Sequence, residues 1–143
     1  MQPRPPRKLA PVDYAFSSID ELGEGPGFRK VRMALGVEAF GVNAVVYPPR
    51  FEGFPHYHDE QDELYFVHSG RARVEVDGET HELGPGGLFH CRSTTLRKLS
   101  NAGDEDLVLL IVGGKDGYVE RDGKLVNPDD LGHRQAMSRG EMT

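Results

Sequence analysis

Four side chains of this sequence can supply ligands to a metal ion. His56 and His58 are separated by one residue, Glu63 follows after four intervening residues, and His90 lies just past a Pro-Gly-Gly turn. Alternate residues of a strand point to the same face, so His56 and His58 can direct two ring nitrogens at one point. Three imidazoles and one carboxylate suit Mn, Fe, Ni, Cu or Zn, whereas Ca²⁺ would need more oxygen ligands. This pattern indicates a site for one divalent transition metal per chain.

Strand parity extends the candidate site to neighbouring residues. Tyr65 shares a face with Glu63, where it either lines a pocket and contacts a substrate or fills the barrel. Arg92 shares a face with His90, where it either binds a substrate carboxylate or ends in solvent. Glu63, Tyr65 and Arg92 are therefore the candidate catalytic residues. Cys91 is out of phase with His90, so we expect a buried, inert thiol that faces away from the metal.

The elements that must position these residues are short strands joined by tight turns. Asp77-Gly78 is a strong hairpin signal, and the apolar run at 107–112 is suited to a buried strand. A short helical turn is expected within 13–23, and a small hairpin around Asp122-Gly123. Such closely spaced strands predict an all-β fold, a sandwich or barrel. Strands are expected at 42–47, 63–67, 71–76, 80–83, 88–92, 95–100 and 107–112.

Length and composition narrow the class of protein. The 143 residues favour one barrel domain over 13–127, with a disordered arm at 1–12 and a polar tail at 128–143. The net charge of −6 gives no electrostatic basis for binding nucleic acid. Neither a secretory signal nor an apolar run of membrane-spanning length is present, so no membrane partner is expected. A single cysteine fits a cytoplasmic protein in a reducing compartment.

The segment 55–70, PHYHDEQDELYFVHSG, resembles the first motif of the cupin superfamily. That motif runs His-x-His, three or four residues, Glu, six residues, Gly. Its positions fall on His56, His58, Glu63 and Gly70.

The segment 85–90, PGGLFH, resembles the second cupin motif, Pro-x-Gly-x-x-His. That motif usually closes with Asn four residues after its His, where this chain has Thr94. The resemblance implies a cupin-type double-stranded β-helix, a jelly-roll barrel, around one metal. The ligands that it implies are His56, His58, Glu63 and His90.

Two classes of function agree with these features. The favoured hypothesis is a metal-dependent enzyme of dioxygenase type that acts on a small oxygenated molecule; a metal-dependent isomerase or lyase is the alternative within this class. The second class is a non-catalytic module that binds a small molecule. We also expect a homodimer, because exposed sheet edges must be covered and the resemblance favours dimers.

Overall fold

The structure is a computed structural model that describes residues 13–132, so the predicted arm at 1–12 and most of the predicted tail lie outside it. Two five-stranded antiparallel sheets, ordered β1-β2-β9-β4-β7 and β10-β3-β8-β5-β6, face each other. A short helix, α1, spans Val31–Leu35. The strands are β1 Gly27–Arg29, β2 Gly41–Tyr47, β3 His56–His58, β4 Asp62–Ser69, β5 Ala72–Val76, β6 Glu79–Leu83, β7 Leu88–Cys91, β8 Arg97–Asn101, β9 Leu107–Gly114 and β10 Gly123–Leu125.

The core lies between the two sheets, where alternating apolar residues meet. Tyr65 and Val67 of β4 and Ala72 and Val74 of β5 are buried, as the alternation in the sequence predicts. β9 lies between β2 and β4, so its apolar run packs on both neighbours. The all-β, jelly-roll prediction is confirmed.

Turn residues place the strands. Asp77 and Gly78 both have positive φ, 50° and 75°, and they close the β5–β6 hairpin. Gly70 has φ 86°, and a Cβ there would lie 2.5 Å from the carbonyl oxygen of Asp106. Glycine is therefore required where the chain leaves β4.

Local structure differs from the sequence-based predictions in three respects. The helical turn at 13–23 is a 3₁₀ turn at Asp20–Leu22, with the hydroxyl of Ser18 accepting from the backbone N–H of Glu21. Helix α1 was not predicted. The hairpin expected around Asp122-Gly123 is wrong, because β10 pairs with the distant strand β3. Within residues 13–132, no helix is long and apolar enough to cross a membrane.

Candidate metal centre

The structure brings together three of the four predicted ligands. His56 and His58 on β3 and Glu63 on β4 present ligand atoms that all lie within 4.8 Å of one another. The Nε2 atom of His58 is 3.0 Å from Oε1 of Glu63, and Nε2 of His56 is 3.9 Å from the same oxygen. The alternation of His56 and His58 along β3 and the turn before β4 therefore bring the three side chains together, as strand geometry predicts.

The Nδ1 atoms of both histidines are held by acceptors on the side away from Glu63. His56 Nδ1 lies 3.0 Å from the carbonyl oxygen of Phe54, and His58 Nδ1 lies 2.7 Å from Oδ1 of Asp122. Such contacts to the second ring nitrogen fix the orientation and tautomer of a metal-binding imidazole. Both Nε2 atoms are thereby directed at Glu63.

Asp122 is a site residue that sequence reasoning missed. Its second oxygen, Oδ2, accepts hydrogen bonds from the backbone N–H groups of Glu60 and Gln61, at 2.6 and 2.8 Å. It thus joins the loop between β3 and β4 to the imidazole of His58. The sequence offered only a turn signal at Asp122-Gly123, with nothing to link it to a histidine 64 positions earlier.

Glu63 is buried and surrounded by hydrogen-bond donors. Its Oε1 accepts from the Tyr65 hydroxyl at 2.5 Å and from Nη2 of Arg97 at 2.6 Å, while Oε2 accepts from the amide of Gln61 at 2.9 Å. Burial alone would raise the pKa of Glu63, but hydrogen bonds from His56, His58 and Tyr65 hold it well below the usual range. Glu63 is therefore a carboxylate anion at any ordinary pH.

The charge of Glu63 affects the titration of its neighbours. Burial would lower the pKa of His58, but its hydrogen bonds to Glu63 and Asp122 outweigh burial and raise that pKa. Burial and the charge of Glu63 together raise the pKa of both Tyr47 and Tyr65. Both phenols therefore stay neutral, and Tyr65 acts here as a donor to Glu63.

His90 is not brought to this group, which corrects its assignment as a ligand. In the β4–β7 pairing, His90 lies opposite Leu64, whereas Glu63 lies opposite Cys91. Directly opposed residues of an antiparallel pair project to the same face, so His90 shares the outer face with the exposed Leu64. The predicted strand was right, but its parity relative to the barrel was inverted.

The same inversion favours the solvent-exposed alternative for Arg92 and corrects the expectation that Cys91 faces away from the site. Arg92 is exposed and follows the end of β7, so it does not line the cavity beside Glu63. Cys91 faces into the barrel, not away from the site, and belongs to the buried core cluster with Tyr65 and Leu99. Burial is the main reason that the pKa of the Cys91 thiol is raised. A protonated, buried thiol agrees with the inert role expected for it.

Arg97 is the second residue that sequence reasoning missed. It is fully buried on β8, opposite His56, and its guanidinium contacts Glu63. A sequence signal for it exists, because Asn101 follows Arg97 by four residues, the spacing of His and Asn in the second cupin motif. The match at 85–90 therefore has the wrong register. Asn101 is structural, since its amide donates to the carbonyls of Tyr47, Pro48 and Glu105.

The centre opens into a cavity of about 560 Å³. Its walls are largely apolar, and its polar groups include the three ligand candidates and Tyr65. Three cationic residues, Lys30, Arg32 and Arg121, also line it. Apolar walls with a few polar groups are typical of small-molecule sites.

The residues present fit a divalent transition metal. Two oriented imidazoles and one carboxylate form the two-histidine, one-carboxylate set known for non-haem iron and related ions. His58 Nε2 lies 3.0 Å from Oε1 of Glu63, which is the distance of a hydrogen bond through one proton. A metal ion bound to Nε2 would replace that proton. His56, His58 and Glu63 can therefore hold one ion with coordination positions left free.

Comparison with known families agrees with this geometry. The family model described as a cupin domain matches residues 43–113, which include β2 from its third residue and most of β9. No curated protein matches the sequence.

Solved structures show the same fold at low sequence identity. A cupin protein from Bacteroides fragilis is 23% identical, with a TM-score of 0.63 and coverage of 77% of this chain and 91% of its own. A double-stranded β-helix protein from Klebsiella pneumoniae is 19% identical, with a TM-score of 0.65 and coverage of 78% and 96%. A sugar phosphate isomerase of the cupin superfamily from Silicibacter pomeroyi is 24% identical, with a TM-score of 0.59 and coverage of 71% and 76%. The motif at 55–70, the two facing sheets and these matches lead to one conclusion: the chain belongs to the cupin superfamily.

Proposed function

We propose that His56, His58 and Glu63 bind one divalent transition metal and that the loaded protein is an oxidoreductase of dioxygenase type acting on a small oxygenated molecule. The observation that carries this proposal is the orientation of the three donors. Both Nε2 atoms face Glu63 because both Nδ1 atoms are already engaged. Such a preorganised set costs little reorganisation when an ion binds.

The metal would supply Lewis acidity and, for Fe, Mn, Ni or Cu, the redox chemistry that a dioxygenase requires. The chain's own residues supply orientation and enclosure. Tyr65 and Gln61 hold the two oxygens of Glu63, and Asp122 holds His58. The apolar walls of the cavity exclude water from the reacting molecule.

The cavity favours a substrate that carries an anionic group, such as a carboxylate. Lys30 and Arg121 line it without an ion-pair partner among residues 13–132, and the Arg32 guanidinium lies 3.9 Å from the centre of the Tyr118 ring. Cations without carboxylate partners at a cavity attract anions, although the chain as a whole is acidic. A small oxygenated acid would therefore place its charge near these residues and its apolar part against the walls.

The metal-dependent isomerase or lyase alternative requires a general base, and the geometry disfavours it. The two carboxylates nearest the histidines, Glu63 and Asp122, have both oxygens occupied by donors. A carboxylate held in this way is a poor proton acceptor. A dioxygenase reaction depends on open coordination positions of the metal and has less need of a general base. The sugar phosphate isomerase cited above shares the fold, which by itself does not decide between these activities.

The test begins with metal content. We expect wild-type protein purified without chelators to contain about one transition-metal ion per chain by elemental analysis. His58→Ala should lose that metal, because one of three ligands is removed. His90→Ala is the matched control, and it should retain the metal because His90 lies on the outer face of β7. Equal loss in both variants would contradict the ligand assignment.

The reaction type is tested separately. The Fe²⁺-loaded wild-type protein should consume O₂ in an oxygen electrode when small hydroxy or keto acids are supplied, and His58→Ala should not. Lys30→Ala and Arg121→Ala should weaken the response to these acids without loss of metal. A loaded protein that binds the acids without oxygen uptake would be a binding module, which refutes the dioxygenase proposal.

A further inference from the structure

Arg97 lies beside the candidate ligand Glu63, so its positive charge would act directly on a metal ion bound at this centre. Its side chain has no solvent exposure, and Nη2 is 2.6 Å from Oε1 of Glu63. Nη1 donates to the carbonyls of Ser93 and Thr95, both at 2.9 Å, and Nε donates to the Tyr65 hydroxyl at 3.2 Å. A guanidinium with this many partners is fixed in place.

The position of Arg97 in the sheet places it beside a candidate ligand. In the β3–β8 pairing, Arg97 and His56 are direct partners. Opposed residues on antiparallel strands carry Cβ atoms about 4.5–5.5 Å apart and project to the same face. A metal-binding side chain at position 97 would therefore join the group formed by His56, His58 and Glu63.

We propose that Arg97 occupies the position of a fourth protein ligand and acts as a positioning residue for Glu63. It limits the centre to three protein ligands and places a permanent positive charge beside the ion. This inference concerns the same centre as the proposed function and rests on it for the identity of the ligands. It adds a physical reason why the centre would leave coordination positions free for other molecules.

Two opposing effects follow from the guanidinium. Because Arg97 fixes Glu63 on its Oε1 side, the carboxylate is held ready for an ion without reorganisation. The same cation repels a divalent ion at close range, since a buried charge is weakly screened. Replacing Arg97 with histidine, a neutral side chain that can bind a metal ion, removes the repulsion and adds a ligand.

The experiment compares metal affinity, with no turnover required. Apo wild-type protein, Arg97→His and Arg97→Gln are titrated with Co²⁺ and, by chelator competition, with Zn²⁺. Arg97→His should bind Co²⁺ at least tenfold more tightly than wild type, with a changed visible spectrum from the third imidazole. Arg97→Gln removes the charge without adding an imidazole, so it should not show that spectral change. Circular dichroism verifies that each variant is folded.

A measurement on wild type keeps the inference testable if the variants do not fold. X-ray absorption of the Zn²⁺-loaded wild-type protein should show two imidazole ligands. Three imidazoles there would overturn the inference, and so would wild-type affinity in a folded Arg97→His protein. If wild type binds no metal but Arg97→His does, the metal-dependent function fails and the assignment of position 97 stands. If neither binds, both fail.

Discussion

Asp122→Asn is expected to weaken metal binding although Asp122 is not itself a ligand. Its Oδ2 accepts hydrogen bonds from two backbone N–H groups, and its Oδ1 is hydrogen-bonded to Nδ1 of His58. An amide of the same shape has only one acceptor oxygen. Whichever way it is turned, its NH₂ group faces a donor.

The less costly orientation determines the effect on the metal site. The amide oxygen should face the backbone N–H groups of Glu60 and Gln61, which are fixed, so the NH₂ group faces His58. His58 then accepts on Nδ1 and carries its proton on Nε2, the atom that must bind the ion. Metal binding must restore the other tautomer and leave a hydrogen bond unmade.

The magnitude follows from the bonds that are lost. A hydrogen bond to a charged group is worth about 1.5–3 kcal/mol, and loss of such outer partners typically costs 10–100-fold in metal affinity. We therefore expect a 10–100-fold weaker Zn²⁺ affinity in Asp122→Asn, measured by competition with a chromophoric chelator. Asp59→Asn is the matched control, because the Asp59 carboxylate is half exposed and pairs with Lys124, at 3.5 Å, and not with His58.

The result that refutes this reasoning is specific. If folded Asp122→Asn binds Zn²⁺ within twofold of wild type, then Asp122 does not set the tautomer of His58. If Asp59→Asn is weakened equally, the effect is due to the charge of the loop and not to the hydrogen bond.

Three further predictions concern stability and assembly. Gly53→Ala should destabilise the fold by at least about 3 kcal/mol in chemical denaturation, because a Cβ would lie 1.7 Å from the carbonyl oxygen of Leu99; near-wild-type stability would show that the β8 backbone can yield. Cys91→Ser should keep metal content and turnover and lose about 1–3 kcal/mol of stability by burying a hydroxyl; loss of metal or turnover in the folded variant would contradict the inert role. We expect a homodimer, because the outer face of the sheet exposes the apolar side chains of Leu64 and Leu88, which are 41% and 62% accessible. Light scattering should then give twice the chain mass of 15.9 kDa, and a monomer mass would refute the homodimer.

The sequence alone predicted the fold class and the grouping of His56, His58 and Glu63, the three candidate ligands of the first motif. These features depend on local geometry. Alternation along one strand places His56 and His58 on one face, and a short turn brings Glu63 back beside them. The alternating pattern in β4 and β5 likewise identifies which residues are buried.

Tertiary structure decided what depends on the register between distant strands. A shift of one residue sends every side chain of a strand to the opposite face, and β7 is set by hydrogen bonds to β4 and not by its own sequence. This register places His90 outside the barrel and Cys91 inside it. Pairing of β3 with β8 and β10 brings Arg97 and Asp122 to the centre from 34 and 64 positions away in the chain. The alternation of apolar and polar residues along a strand carries no information on such pairings, because the energy that selects them comes from packing both sheets at once.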